Sequence, residues 1–163
     1  MIQYLILPGC GPNILSLFGA VKRAKEQNIW NFEDLSEIYC TSAGSILGFL
    51  IALDIDMQVI KDYIIERPWQ KLILKSKKML ESFYTSGIVD NALFYKVFEP
   101  FYKLKELDRN ITLREFHEKT QKTLHIYSTN FNEFHEKVFT YKSDPHLKLI
   151  DALYMSCSLP VIF

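Results

Sequence analysis

The segment Ile38-Tyr39-Cys40-Thr41-Ser42-Ala43-Gly44-Ser45, running into Ile46-Leu47-Gly48-Phe49-Leu50-Ile51-Ala52-Leu53, restricts the fold of this chain more than any other stretch. A short apolar run, a cluster of small residues and a longer apolar run predict a strand, a sharp turn and a helix. Ser42 then sits at the tip of the turn, with the helix N-terminus beneath it. That is the layout of a nucleophile elbow, in which small flanking residues let strand and helix pack closely around an exposed serine. The usual pattern is G-x-S-x-G. Here Gly44 supplies the second glycine, and Cys40 stands at the first. The same residues also suit an ordinary helix start, where small side chains are common.

The N-terminus has a matching layout. Tyr4-Leu5-Ile6-Leu7 reads as a buried strand and Pro8-Gly9-Cys10-Gly11-Pro12-Asn13 as a turn-rich loop. Ile14, Leu15, Leu17, Phe18, Val21 and Ala24 then recur at helical spacing. A glycine loop between strand and helix turns backbone N–H groups toward an anion, and a serine acyl hydrolase needs such donors for the oxyanion of its tetrahedral intermediate. A plain strand-to-helix turn has the same composition. Gly19-Ala20 inside the helix predicts close packing on a sheet. Strand 3–7, helix 13–27, strand 36–40 and helix 43–53 alternate, which predicts an α/β fold with a mainly parallel sheet between helical layers.

Further along, a helix is expected from Met57 to Arg67, stopped by Pro68, and Trp69 to Lys78 is ambiguous. Lys75-Ser76-Lys77-Lys78 is a solvated basic cluster able to touch anionic lipid head groups. Tyr84 to Gly87 reads as a loop. Asp90 can cap a helix carrying Leu93, Phe94, Val97, Phe98 and Phe101 as a core stripe, which Pro100 should bend or end. Thr112-Leu113-Arg114-Glu115 is a capping box. Asn130-Phe131-Asn132-Glu133 is a turn between two strands. Asp151 begins or stabilises the last helix, and Pro160 marks its end.

Taken together, the two loops resemble the patatin-like phospholipase family, whose N-terminal strand leads into a glycine loop and whose nucleophile motif, often G-T-S-A-G, follows some tens of residues later. Leu5 to Ile14 occupies the first region and Cys40 to Ser45 the second. Thr123 to Asn130 is similar to the family's central strand ending in Thr-Asn, and Phe134 to Tyr141 to the strand paired with it. Leu149 to Phe163 resembles the Asp-Ala helix, small-residue stretch and Pro-x-x-Phe. The resemblance covers nearly the whole chain in family order. It implies a three-layer patatin-like core and lipid acyl-ester hydrolysis of the phospholipase A type by a Ser-Asp dyad. Ser42 would be the nucleophile, Gly9, Cys10 and Gly11 the oxyanion hole, and Cys40 and Gly44 the elbow supports. It implies no metal or organic cofactor, a lipid or phospholipid acyl ester as substrate, and transient contact with a membrane surface.

Departures from the family pattern bear on that expectation. Cys10 replaces the middle glycine of the loop, the family's basic residue falls on Asn13, the next glycine falls on Ile14, and Pro12 lacks an N–H. The family's catalytic aspartate belongs to an Asp-Gly-Gly or Asp-Gly-Ala motif after the Pro-x-x-Phe region, and the sequence contains no Asp-Gly pair. Residues 1–163 are therefore expected to form a single domain that is incomplete at its C-terminal end and inactive alone. Asp54, Asp56, Asp90, Asp144 and Asp151 read as caps and turn residues. His117, His125, His135 and His146 stand in no hydrolase motif. Cys10 and Cys40 are alternative thiol nucleophiles, with packing roles the competing reading. A catalytically degenerate lipid-binding or interaction module is the alternative to the enzyme.

Composition limits the remaining classes. Nineteen basic and nineteen acidic side chains cancel, so nucleic-acid binding has no global electrostatic support. Three scattered cysteines have neither disulfide nor zinc spacing, which points to a reducing, cytoplasmic setting, peripheral at membranes at most. No acidic loop has calcium-ligand spacing. The N-terminus lacks a signal-peptide pattern, and the longest apolar run, Ile46 to Leu53, is too short to cross a bilayer.

Overall fold

The computed structural model describes residues 2–67 and 91–158, apart from the side chains of residues 92 and 93. The expectations for Pro68, Trp69 to Lys78 with its basic cluster, Tyr84 to Gly87, Asp90, Leu93 and Leu159 to Phe163 lie outside these residues.

The chain opens with β1 (Tyr4–Leu7), a 3₁₀ turn (Gly11–Asn13) and α1 (Ile14–Glu26), followed by β2 (Glu37–Thr41), α2 (Ala43–Ala52) and α3 (Met57–Glu66). After the undescribed segment come α4 (Asn91–Leu104), α5 (Leu113–Thr120), β3 (Thr123–Asn130), β4 (His135–Phe139) and α6 (Leu149–Cys157). The strands form one sheet in the order β1-β2-β3-β4. The first three are parallel, with Leu7 opposite Cys40 and Thr41 opposite Tyr127, and β4 returns antiparallel to β3.

Parallel strands laid down side by side in chain order, joined by right-handed crossovers, place their connecting helices on one face of the sheet. The side chains of Ile38, Cys40, Leu124 and Ile126 are buried on the face that packs against α2 and α6. Strand alternation sends Glu37, Tyr39, His125 and Tyr127 to the opposite face, where Tyr4 and Ile6 of the edge strand are exposed. Behind α2 the core is aromatic. Phe49 meets Phe98 edge-on at 5.9 Å and lies 5.6 Å from Tyr102 and 5.9 Å from Phe116. Phe94, Phe98 and Phe101 are buried, as the core stripe predicted.

Local start signals act where the sequence places them. The Thr112 side chain accepts from Glu115 N while the Glu115 carboxylate accepts from Thr112 N, closing the capping box of α5. Asp56 caps α3 by accepting from Gln58 N at 2.6 Å. Asp151 sits in the first turn of α6, one residue into the helix from Ile150.

Two local expectations fail. β1 is not a buried strand: it lies at the edge of the described sheet, with Tyr4 57% and Ile6 74% exposed and Leu7 buried. Gly19 and Ala20 do not pack on the sheet. Both are exposed, and a Cβ added at Gly19 would meet nothing within 4 Å. Pro100 does not end its helix, because α4 continues to Leu104. A proline removes the N–H that would bond the carbonyl four residues back, here Lys96 O. The Arg67 guanidinium fills that role, donating to Lys96 O at 2.9 Å and to Val97 O at 2.8 Å. Buried Phe101 and Tyr102 hold the turn beyond the proline in the core.

Candidate active site

Ligand sites on parallel sheets form at the carboxyl ends of the strands, and there the two loops singled out in the sequence converge. Ser42 lies between the end of β2 and the first residue of α2, with φ 51° and ψ −126°. This region is costly for any residue with a side chain and is typical of a nucleophile elbow. Its hydroxyl makes no capping hydrogen bond to the helix, so the turn holds the oxygen away from the N–H groups a serine at this position ordinarily serves.

The crossing is tight because of Gly44. A Cβ at that position would lie 2.2 Å from Leu7 O, so only glycine lets the helix start this close to β1. The first glycine of the usual motif is replaced by buried Cys40, and its room is found one helical turn beyond Gly44. A Cβ at Gly48 would come within 3.0 Å of Ile38 Cγ2 and 3.3 Å of Cys40 Sγ. On the other side, Gly9 lies against the elbow, where an added Cβ would be 3.4 Å from both Ser42 Cβ and Thr41 Cγ2. Gly11 has φ +50° and opens the 3₁₀ turn. The loop's carbonyls are turned toward the helix: Cys10 O accepts from Asn13 N and Gly11 O from Ile14 N.

Two serines with no motif of their own hold the elbow. Ser156, at the end of α6, accepts from Ser42 N at 2.9 Å and donates to Tyr127 O at 2.6 Å. Fully buried Ser45 donates to Ser42 O at 2.6 Å. The strained peptide is thereby fixed on both its N–H and its carbonyl side.

Ser42 opens into a cleft of about 620 Å³. Thr41 lies beside it, Ser128, Thr129, Asn130 and Phe131 form the β3 side, and Met155, Ser156 and Ser158 form the α6 side. Lys137 of β4 also lines the cleft, its ammonium 3.0 Å from Asp144 Oδ1. A second, almost wholly apolar pocket of about 360 Å³ starts beside the glycine loop at Pro12 and Ile14 and passes Ile46, one turn along α2 from the serine.

Among the described residues lining the cleft there is neither a histidine nor a carboxylate. His125 Nε2 is 2.8 Å from Glu37 Oε2, and its ring stacks on Tyr39 at 4.1 Å. His117 stacks on Tyr141 at 3.7 Å, His135 pairs with Glu133 at 3.3 Å, and His146 is exposed between β4 and α6. Asp54 follows the end of α2, Asp56 caps α3, and Asp151 accepts from Asn91 Nδ2 at 2.6 Å. The thiols are poorly suited to nucleophilic attack. Burial raises the pKa of Cys40 well above the ordinary thiol range, pushes Cys157 up to about 11, and raises Cys10. Among the described residues no cluster of His, Cys, Asp or Glu could hold a metal ion.

Known proteins resemble this chain in sequence and in fold. The sequence profile described as Patatin-like phospholipase matches residues 5–163. A curated protein of Invertebrate iridescent virus 6, described as "Probable lipid hydrolase 463L", is 28% identical over 162 residues, covering 98% of this chain and 54% of its own length. The crystal structure of VipD from Legionella pneumophila superposes with a TM-score of 0.66 at 16% identity, over 99% of this chain and 43% of VipD. A chain of the SpcU–ExoU complex from Pseudomonas aeruginosa gives a TM-score of 0.63 at 20% identity, over 98% of this chain and 38% of that one. At these identities the two structures speak to fold alone. The chain thus spans about half the length of the curated relative it matches.

Proposed function

The chain belongs to the patatin-like phospholipase family, and from that membership we propose that it carries the nucleophile half of a lipid acyl-ester hydrolase of phospholipase A type. The observation that carries this reading is the Ser42 hydroxyl, held at a strained turn between β2 and α2, unused as a cap and open to a cleft. In the proposed reaction Ser42 Oγ attacks the ester carbonyl carbon, and its proton passes to an aspartate acting as base. The carbonyl electron pair moves onto oxygen, where the N–H groups of Gly9, Cys10 and Gly11 and the N-terminus of α2 offset the charge. Collapse of this intermediate expels the alcohol, which takes up the proton. Water then releases the fatty acid and regenerates serine.

The residues around Ser42 support a lipid substrate. The apolar pocket beside the glycine loop, lined separately from the cleft but reaching Ile46 one turn along α2, suits an acyl chain, while Lys137 on the cleft wall, paired with Asp144 at 3.0 Å, can turn its remaining donors to a phosphate. The base is assigned to an aspartate of the family's Asp-Gly motif, which these 163 residues lack, because the described lining of the cleft contains no carboxylate. The 163-residue chain is accordingly expected to turn over esters poorly when alone, since a neutral hydroxyl attacks them slowly.

The test is hydrolysis of a soluble short-chain ester by residues 1–163 and by a longer chain that includes an Asp-Gly motif. Ser42→Ala in the active form should lower turnover by at least ~10³-fold with the fold intact. Activity that survives Ser42→Ala would move the chemistry elsewhere. A longer chain without activity would favour a degenerate lipid-binding module, a reading to which Cys10, Asn13 and Cys40 in place of the family residues already lend weight.

A further inference from the structure

The turn joining β3 to β4 carries two phenylalanines that no core contact requires. Phe131 is 53% exposed and Phe134 is 84% exposed. Neither ring makes an aromatic contact among the described residues. The turn beneath them is well braced. Asn132 N donates to Asn130 Oδ1 at 3.0 Å, and Asn130 Nδ2 donates to Glu133 Oε2 at 3.1 Å. Phe134 has φ 49°, a left-handed conformation that an aromatic residue seldom adopts. Asparagine would accept that backbone more readily, so the aromatic ring there is not explained by local stability.

Position relative to the cleft gives the turn a direction. Phe131 belongs to both places, lining the cleft that holds Ser42 while half of it faces outward. We propose that the β3–β4 turn is an interfacial anchor: Phe134 and the outer part of Phe131 enter the surface of a lipid aggregate and bring the mouth of the cleft to the ester. This inference rests on the lipid reading of the Ser42 site. Aromatic rings are suited to such a boundary, where an apolar body meets polar head groups. Charges at the turn and along β4 are of both signs, with Glu133 between the two phenylalanines and Glu136 beside Lys137. The anchor is therefore apolar rather than electrostatic, and a zwitterionic surface suffices.

Flotation with phosphatidylcholine vesicles tests this without any turnover, using the Ser42→Ala protein as parent. The parent is expected to float with the vesicles. Phe134→Asn should weaken its binding by about tenfold, the scale of one aromatic ring removed from an apolar phase, and Phe134→Trp should retain it. Phe134→Asn should also melt no lower than the parent, so lost flotation is not lost folding. Making about a fifth of the lipid anionic should shift binding by less than about threefold, since each basic residue drawn to a charged surface would contribute more than that. Equal flotation of Phe134→Asn and parent would overturn the anchor, as would no flotation by the parent or binding only to anionic vesicles. A parent dimer that Phe134→Asn turns into monomers would assign the tip to a second copy and overturn it too. Soluble-ester turnover by the longer chain that includes an Asp-Gly motif, with Ser42 restored, reads the chemistry separately: its loss counts against the hydrolase, and lost flotation alone counts against the anchor.

Discussion

Ser42 occupies backbone space where a side-chain-bearing residue costs on the order of 1–3 kcal/mol, and its neighbours hold it there. Ser156 and Ser45 bond its peptide groups, and Gly44 removes the one Cβ that would keep α2 away from Leu7 O. Strain at this turn should therefore trade stability against activity. Ser42→Gly should raise the free energy of unfolding by about 1 kcal/mol, because glycine takes positive φ without penalty, while removing the nucleophile. Ser42→Ala keeps the Cβ and should leave the strain in place. Urea denaturation of the two variants beside the parent checks this, and equal stability of both would mean that the turn stores no strain.

Among the elements, α4 shows how a local defect is corrected from a distance. Pro100 leaves Lys96 O without its helical partner, and Arg67, from the end of α3, supplies one. Tyr63 OH also bonds Val97 O, so α3 and α4 are joined at the same turn. Arg67→Ala should cost about 1.5–3 kcal/mol, as expected for hydrogen bonds from a charged donor. In a Pro100→Ala background the restored N–H can bond Lys96 O, and the cost should fall by about 1 kcal/mol. A double-mutant cycle by chemical denaturation measures the difference. Strict additivity would show that Arg67 stabilises α4 independently of the proline.

Across the whole molecule the sheet is packed by α2 and α6 on one face, and on the other it carries Tyr4, Ile6, Tyr39, His125 and Tyr127. A polar network on that second face ties β2 to β3. Glu37 accepts from Tyr39 OH at 2.7 Å and faces His125 Nε2 at 2.8 Å. The Tyr39 hydrogen bond, followed by the one from His125, holds the Glu37 carboxyl below the ordinary glutamate range. A carboxyl with a depressed folded pKa adds stability that is complete above its unfolded value and lost as pH falls through the folded one. The parent should therefore exceed Glu37→Gln in stability most clearly above about pH 5, and the gap should close on acidification below about pH 4. Urea unfolding at a series of pH values reads this directly, and a gap that widens on acidification would reverse the sign. Among the described residues no helix is long and apolar enough to cross a membrane.

Much of this architecture was legible from neighbouring residues. The strand–turn–helix at Ser42, the capping box at Thr112 and the aromatic stripe of α4 depend on groups within about four residues of one another, and periodicity and capping report those interactions directly. The family resemblance likewise placed both loops before their meeting could be seen. Gly19 misled, and Pro100 does not end its helix, because a residue type states what the backbone permits and not what surrounds it. Gly19 faces open space, and Pro100 is tolerated because of a guanidinium thirty residues earlier or more. Ser45 carried no signal beyond its place in the elbow, and Ser156 none beyond the small-residue stretch before Pro160. The cleft walls are assembled by pairing β2 with β3 and by seating α6 against them, joining residues more than a hundred positions apart, such as Ser42 and Ser156. Local order was set along the chain by short-range hydrogen bonding and hydrophobic period. The surroundings of Ser42 were decided only when strand pairing and helix packing brought distant segments together.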